Sequence, residues 1–287
     1  MRSLIVTILL FASSLLSGSQ YINENGTTIK TRFIPPKGYN RVVYPPIAYH
    51  TSGGEKVGTY EESVKSFSTY LQDLPLKQYG SPVLLYNGQN KTNQVHASVI
   101  DIPILKEDLI QCADAIIKLR AEYLYNCYPI YEDQNIKFTL TNGIEVPLNR
   151  FRRGERIKVN GNKTTWIKSS NGNKTDRQIF DEYLRFIYSY AGTASLAKDM
   201  KKVDIKDISV GDVFIKGGNP GHAIIVVDLA INKNTGKKIM LLAQSYMPSQ
   251  EMHILKSFED ISPWYYVEDK DLVTPEWKFS KGSLKMF

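Results

Sequence analysis

The sequence predicts an α+β fold, in which a cysteine-bearing helix packs on an antiparallel sheet that bears a histidine. Apolar residues at helical spacing supply the first half of that expectation. Leu109, Cys112, Ile116, Leu119 and Tyr123 recur at three- and four-residue steps, and residues 178–190 form a second amphipathic run ending near Gly192. Residues 208–215, 222–229 and 238–246 supply the second half. They are β-rich runs separated by the tight loop Gly217-Gly218-Asn219-Pro220-Gly221 and by a turn over 232–236. The chain has 287 residues, 42% apolar and 23% charged, which are ordinary globular values and exclude disorder for most of its length.

The first segment reads as an export signal. Met1-Arg2-Ser3 is a short positive start, residues 4–16 are apolar but for Thr7, Ser13 and Ser14, and Ser17-Gly18-Ser19 is a small-residue cleavage region. The apolar run is shorter than the ~20 residues that span a bilayer, and no cysteine follows it to carry a lipid. The expected organisation is therefore a signal peptide over 1–19, an N-terminal α+β subdomain over 20–105 and the main domain over 106–287. The expected location is periplasmic or extracellular. A net charge of +7 comes from lysines spread along the chain. No basic stripe interleaved with aromatics occurs, so nucleic acid is not an expected partner. The Asn-x-Thr triplets at Asn25, Asn90, Asn162 and Asn173 arise freely in a Lys/Asn-rich chain and carry no inference.

Residues 20–58 are rich in Pro, Gly and Tyr and read as short strands and loops. Val64, Phe67, Tyr70, Leu71 and Leu74 predict a helix over 60–74, stopped by Pro75. Strands are expected over 82–86 and 95–104, with Asn87-Gly88 turning between them. Asp108 is the expected cap of the cysteine helix. Residues 128–176 read as strands joined by polar turns, with 137–140 and 165–168 the clearest and an exposed loop over 160–174. No internal repeat occurs.

Two cysteines exclude a disulfide scaffold and a four-thiolate zinc site. Cys112 and Cys127 lie at the two ends of one expected helix, so their separation is roughly 20 Å, and a disulfide needs Cα atoms within about 7 Å. Cys112 is then a free thiol in an oxidising compartment. One reading makes it a core residue on the Leu109 and Ile116 stripe. The other makes it a nucleophile, which needs a base to share its proton and a polar group to orient that base. A helix N-terminus would lower the thiol pKa. His222 opens a strand beside a loop, and Gln244 on the next strand falls diagonal to it on the same face. A register slip of one residue would present Ser245 instead.

Gly211-Asp212-Val213-Phe214-Ile215, followed by Pro220-Gly221-His222-Ala223-Ile224-Ile225-Val226-Val227-Asp228, resembles the histidine segment of NlpC-type and CHAP-type papain-like cysteine hydrolases. Gln111-Cys112-Ala113-Asp114-Ala115 is similar to their cysteine segment, and the chain order matches. The resemblance covers roughly residues 106–250. It asks for a helix start near Gln111 and an insertion around 128–205. It implies a papain-like core with an N-terminal α+β extension, and an exported enzyme that cuts amide bonds in bacterial cell walls. The whole mature chain also resembles an exported bacterial family known only as a domain of unknown function. Leu119-Arg120-Ala121-Glu122-Tyr123-Leu124-Tyr125, Ala243-Gln244-Ser245-Tyr246-Met247-Pro248 and Ser262-Pro263-Trp264-Tyr265 carry that likeness.

The leading expectation is thus a cysteine hydrolase acting on peptidoglycan peptides. Cys112 is the expected nucleophile, His222 the base and Gln244 its orienter, with Tyr246 and Trp264 lining a groove. The rival expectation is a non-catalytic envelope protein that binds glycan or peptide on the same shell. No cofactor is expected, and no metal, because the histidines show no paired spacing. His253 reads as a surface or strand residue, and His50 and His96 as structural. Ser195-Leu196-Ala197-Lys198 fits S-x-x-K, but its usual companion motifs are absent. Arg120 and Glu122 read as charges on a solvated helix face or in an ion pair, and Asp228 as a turn residue.

Overall fold

The structure, a computed structural model, describes residues 33–45, 65–127 and 136–287. The expected leader, His50, Asn25 and the first turn of the helix expected from residue 60 lie outside them. In chain order the elements are β1 (Tyr39–Arg41), α1 (Phe67–Gln72), β2 (His96–Val99), α2 (Cys112–Cys127), β3 (Lys137–Thr139) and β4 (Glu145–Pro147). Next come α3 (Leu148–Arg152), β5 (Glu155–Asn160), β6 (Lys163–Lys168), α4 (Asp176–Tyr190), α5 (Thr193–Asp199) and β7 (Lys201–Lys202). The chain continues through β8 (Val213–Lys216), β9 (His222–Asn232), β10 (Lys238–Gln244), β11 (His253–Leu255) and β12 (Tyr265–Tyr266). It ends with β13 (Leu272–Val273), β14 (Lys278–Phe279) and β15 (Leu284–Met286).

Nine strands form one antiparallel sheet with the path β2-β11-β10-β9-β8-β15-β7, while β1 pairs with the far end of β9 and β12 with the start of β10. The α+β expectation holds at this level. β9 is the axis: its first nine residues are buried, as an apolar run with neighbours on both edges requires. α1 and α2 pack over it. α2 is buried over most of its length, with Ala113, Ile116, Ile117, Leu119, Ala121 and Tyr123 in the core. Such a helix belongs between layers rather than on a surface, and α4 and α5 cover it. α4 carries a capping box, in which Thr175 accepts from the Gln178 backbone and the Gln178 side chain accepts from the Thr175 N–H.

Some local expectations differ from the structure. Only residues 96–99 of the stretch 95–104 form a strand, and residues 84 and 85 make isolated bridges to Asn90 and Gln250. Residues 148–152 and 193–199 are helical where no helix was expected; both helices are under two turns long, too short for a periodicity to show. The sheet also runs across the expected 105/106 boundary, because β1 and β2 are strands of it. Leu71 and Ile100 share one hydrophobic cluster with Ile224 and Leu242. No described helix is long and apolar enough to cross a membrane.

Candidate active site

Cys112 is the first residue of α2. Asp108 does not cap this helix; its Oδ1 accepts from the Ser249 N–H at 2.6 Å and from Gln111 Nε2 at 3.1 Å. The helix start is held by Asp114, whose Oδ2 accepts from the Gln111 N–H at 3.1 Å. The Ile110 carbonyl accepts from the hydroxyls of Ser245 (3.2 Å) and Ser249 (2.8 Å). The strand-to-helix entry is thereby pinned to the loop after β10, and the Cys112 thiol lies against the backbone N–H of Ala223, the residue after His222. Cys112 is a free thiol.

His222 opens β9, and Gly221 before it admits no side chain. A Cβ there would stand 2.2 Å from Thr193 Oγ1 and 2.4 Å from the Gly218 carbonyl. The register against β10 decides what meets the imidazole. Leu241 pairs with Asp228, but Leu242 pairs with Val226, so Val227 is an extra residue in β9. This β-bulge shifts the pairing by one. It brings Gln244, not Ser245, to His222, with His222 Nε2 and Gln244 Oε1 2.9 Å apart. Ser245 is buried and bonds the Ile110 and Gln250 carbonyls instead.

The proton on His222 follows from a chain of partners. Gln244 Nε2 is 2.7 Å from a carboxylate oxygen of Glu276, which only accepts, so this end of the amide is the nitrogen. Its oxygen therefore faces His222, and His222 Nε2 must donate. Nδ1 then carries the lone pair. His253 Nδ1 donates to the Glu251 carbonyl at 2.9 Å, so its Nε2 accepts from the second Gln244 N–H at 3.4 Å. Glu276 is in turn paired with the buried Lys91. The turn from Thr274 to Trp277 delivers both Glu276 and the Trp277 ring, whose centroid is 5.2 Å from that of His222. Tyr246 and Phe279 complete the ring of aromatics at 4.6 and 5.8 Å.

Burial dominates the electrostatics. It pushes the Cys112 thiol up to about 11, against the opposing pull of the Ala223 N–H, and the Asp114 carboxylate adds to the rise. It pushes His222 down to about 4, although the Gln244 hydrogen bond and the Glu276 charge both favour the imidazolium. His253 is driven down to about 3 by the same cause. Contrary to the helix-terminus argument, desolvation outweighs the partial charge at the start of α2. The resting pair is a neutral thiol and a neutral imidazole.

Residues 29–286 match the family described as Domain of unknown function (4846). The chain belongs to this family. None of the curated proteins and none of the solved structures matches it. The family's span includes Lys91, Cys112, His222, Gln244 and Glu276.

Of the other residues singled out in this family member, Tyr246 stands half-buried at the site, its hydroxyl pushed up by burial and by the charge of Glu276. Trp264 does not line a groove: it is fully buried, a core side chain. His253 is a strand residue, the first of β11, and is buried behind Gln244 rather than on the surface. Asp228 is not in a turn; it lies within β9 and binds Arg41 and Gln72. Ser195 is a helix-start residue bonded to Gly192. Glu122 pairs with Arg177, and the Arg120 guanidinium lies over the Phe67 ring. Among the described residues no group of three His, Cys, Asp or Glu is placed to hold a metal ion. The sequence reading missed Lys91 and Glu276. Each is an ordinary charged residue in a loop, outside the segments around Cys112, His222 and Gln244, so neither carried a signal.

Proposed function

We propose that the protein is an exported cysteine hydrolase with a papain-like core that cleaves an amide bond in peptidoglycan peptides. The observation that carries this reading is the Gln244 hydrogen bond, which leaves His222 Nδ1 unprotonated, while the Cys112 thiol at the start of α2 lies against the N–H of the next residue, Ala223. In the proposed reaction His222 Nδ1 takes the Cys112 proton as sulfur attacks the substrate carbonyl carbon. The Cys112 backbone N–H, unpaired within the helix, holds the oxyanion. The imidazolium returns its proton to the leaving amine as the C–N bond breaks. Water, deprotonated by His222, then hydrolyses the thioester and restores the thiol.

Before mutual attraction, moving the proton from a thiol near 11 to an imidazole near 4 is uphill by on the order of 10 kcal/mol. A turnover of about 10 per second corresponds to a barrier of about 16 kcal/mol. Proton transfer concerted with attack therefore fits within an ordinary enzymatic barrier. The same neutral pair favours the second reading, a non-catalytic shell that binds envelope peptide or glycan. Incubation of the mature protein with peptidoglycan fragments separates them. Release of new amines, abolished in Cys112→Ala and His222→Ala with the fold intact, is the expected result. Full cleavage by either variant, or fragment binding without cleavage by the wild type, overturns the hydrolase reading. The leader over 1–19 is tested by the N-terminus of the exported protein, expected at Gln20.

A further inference from the structure

Lys91, Glu276 and Gln244 form a chain of partners that ends on His222. Lys91 is 8% exposed and Glu276 13% at their side chains. Lys91 Nζ pairs with Glu276 Oε1 and also donates to the Asn93 carbonyl at 2.5 Å. A buried ion pair contributes little net stability, since desolvation offsets its attraction. Losing one partner, by contrast, strands a charge. Such a pair is informative about geometry: here it fixes which end of a neutral amide faces the imidazole.

An amide has no orientational preference of its own. Without a fixed neighbour, Gln244 could offer His222 either its oxygen or its NH2, and the two choices put the imidazole proton on opposite nitrogens. The carboxylate of Glu276 removes that freedom, because it can only accept; at 2.7 Å it is the shorter of the two contacts that hold the Gln244 NH2, the other being His253 Nε2 at 3.4 Å. Lys91 holds that carboxylate in place by pairing with Oε1, which leaves Oε2 to face Gln244. We propose that Lys91 and Glu276 are positioning residues that set the tautomer of His222 through Gln244. The catalytic consequence rests on the hydrolase reading; the tautomer itself does not.

The test is Glu276→Gln, which keeps the volume and removes the charge. Lys91 then takes the new amide oxygen, the new NH2 faces Gln244, and Gln244 turns its own NH2 to His222 Nε2, giving up the longer 3.4 Å contact with His253 Nε2. The proton moves to Nδ1. Two-bond 15N–1H correlation spectra of 15N-histidine-labelled full-length protein at pH 7 read this directly. The wild type is expected to show Nε2–H at His222, and Glu276→Gln is expected to show Nδ1–H. If Glu276→Gln does not fold, the double variant Lys91→Met/Glu276→Leu, which strands no charge, is expected to give a mixture of tautomers. Nε2–H alone in the folded variant overturns the proposal. Where the wild type cleaves peptide, the tautomer change is expected to lower turnover by on the order of 10³- to 10⁴-fold, as for a triad base held in the wrong tautomer. A tautomer change in a protein that cleaves nothing sinks the hydrolase reading and leaves this inference standing. Cleavage with an unmoved tautomer does the reverse.

Discussion

Cys112 keeps its proton at neutral pH because its sulfur is buried, and its thiol is pushed up to about 11. Alkylation needs the thiolate, so at pH 7 only about one molecule in 10⁴ is reactive, against a few per cent for a thiol of pKa about 8.5. Peptide-resolved labelling with iodoacetamide is expected to be roughly 100-fold slower at Cys112 than at a free thiol, rising about tenfold per pH unit through pH 10. A rate already level by pH 8 would contradict this and reveal a stabilised thiolate. Asp114 offers a second test. Burial pushes its carboxyl up to about 7, against the pull of the Gln111 N–H. A folded pKa above the unfolded one means the folded state binds more protons between about 4 and 7, so this group's contribution to stability is full below that window and is lost as pH rises through it. Asp114→Asn keeps an acceptor for Gln111 and removes the titration. It is expected to be more stable than wild type at pH 8, by about 2–4 kcal/mol, and no more stable at pH 4. Denaturant midpoints at the two pH values decide it.

At the scale of elements, the β8–β9 loop and the bulge in β9 set what His222 meets. Gly217 and Gly221 both press on α5: a Cβ on Gly217 would be tight against Ala197, Thr193 and Ala194, and one on Gly221 would overlap Thr193 Oγ1. Gly221→Ala would push on the Gly218 and Lys216 carbonyls as well as on Thr193, so trimming Thr193 does not relieve it. The expected cost is about 1–3 kcal/mol, read as a lower melting temperature, with a changed His222 signal in the histidine spectra. An unchanged melting temperature and spectrum would show that the loop yields. The β9–β10 hairpin was legible because an Asn/Gly turn joins two apolar runs. Its bulge was not: Val227 is one apolar residue in the buried run 222–230, and nothing in a uniform run marks which residue is extra. The sequence argument reached Gln244 with Ser245 as the alternative, and the bulge settled it. Cys112 and His222 were legible through their neighbours in sequence. Glu276 was not, since Thr274-Pro275 announces a turn but not what the turn faces. Desolvation of the Cys112 thiol was not legible either, because a helix terminus is visible in sequence and burial is not.

For the molecule as a whole, the question is whether residues 106–287 could carry the site alone. The N-terminal residues supply β1 to the far end of β9 and β2 to β11. They also supply Lys91 to Glu276 and Lys77 to Glu251, and Leu71, Val83, Val99 and Ile100 to the buried core. Emptying each of those four core positions costs about 2–5 kcal/mol, and a domain is typically stable by about 5–15 kcal/mol in total. The apolar loss alone is of the size of the whole stability. Three carboxylates, Asp228, Glu251 and Glu276, are left without their cations, and β11 becomes an open edge prone to pairing with other chains. Residues 106–287 are therefore expected not to fold independently: no cooperative thermal transition, little near-ultraviolet dichroism, and fast amide exchange across β9 and β10. The control is co-expression with residues 20–105 as a separate chain, which is expected to restore the transition if sheet completion is what is missing. A cooperative melt of 106–287 alone, with the wild-type His222 signal, would show that the N-terminal part is an accessory. In that case Lys91 would not be needed to hold the imidazole, and the charge chain through Glu276 would lose its first link.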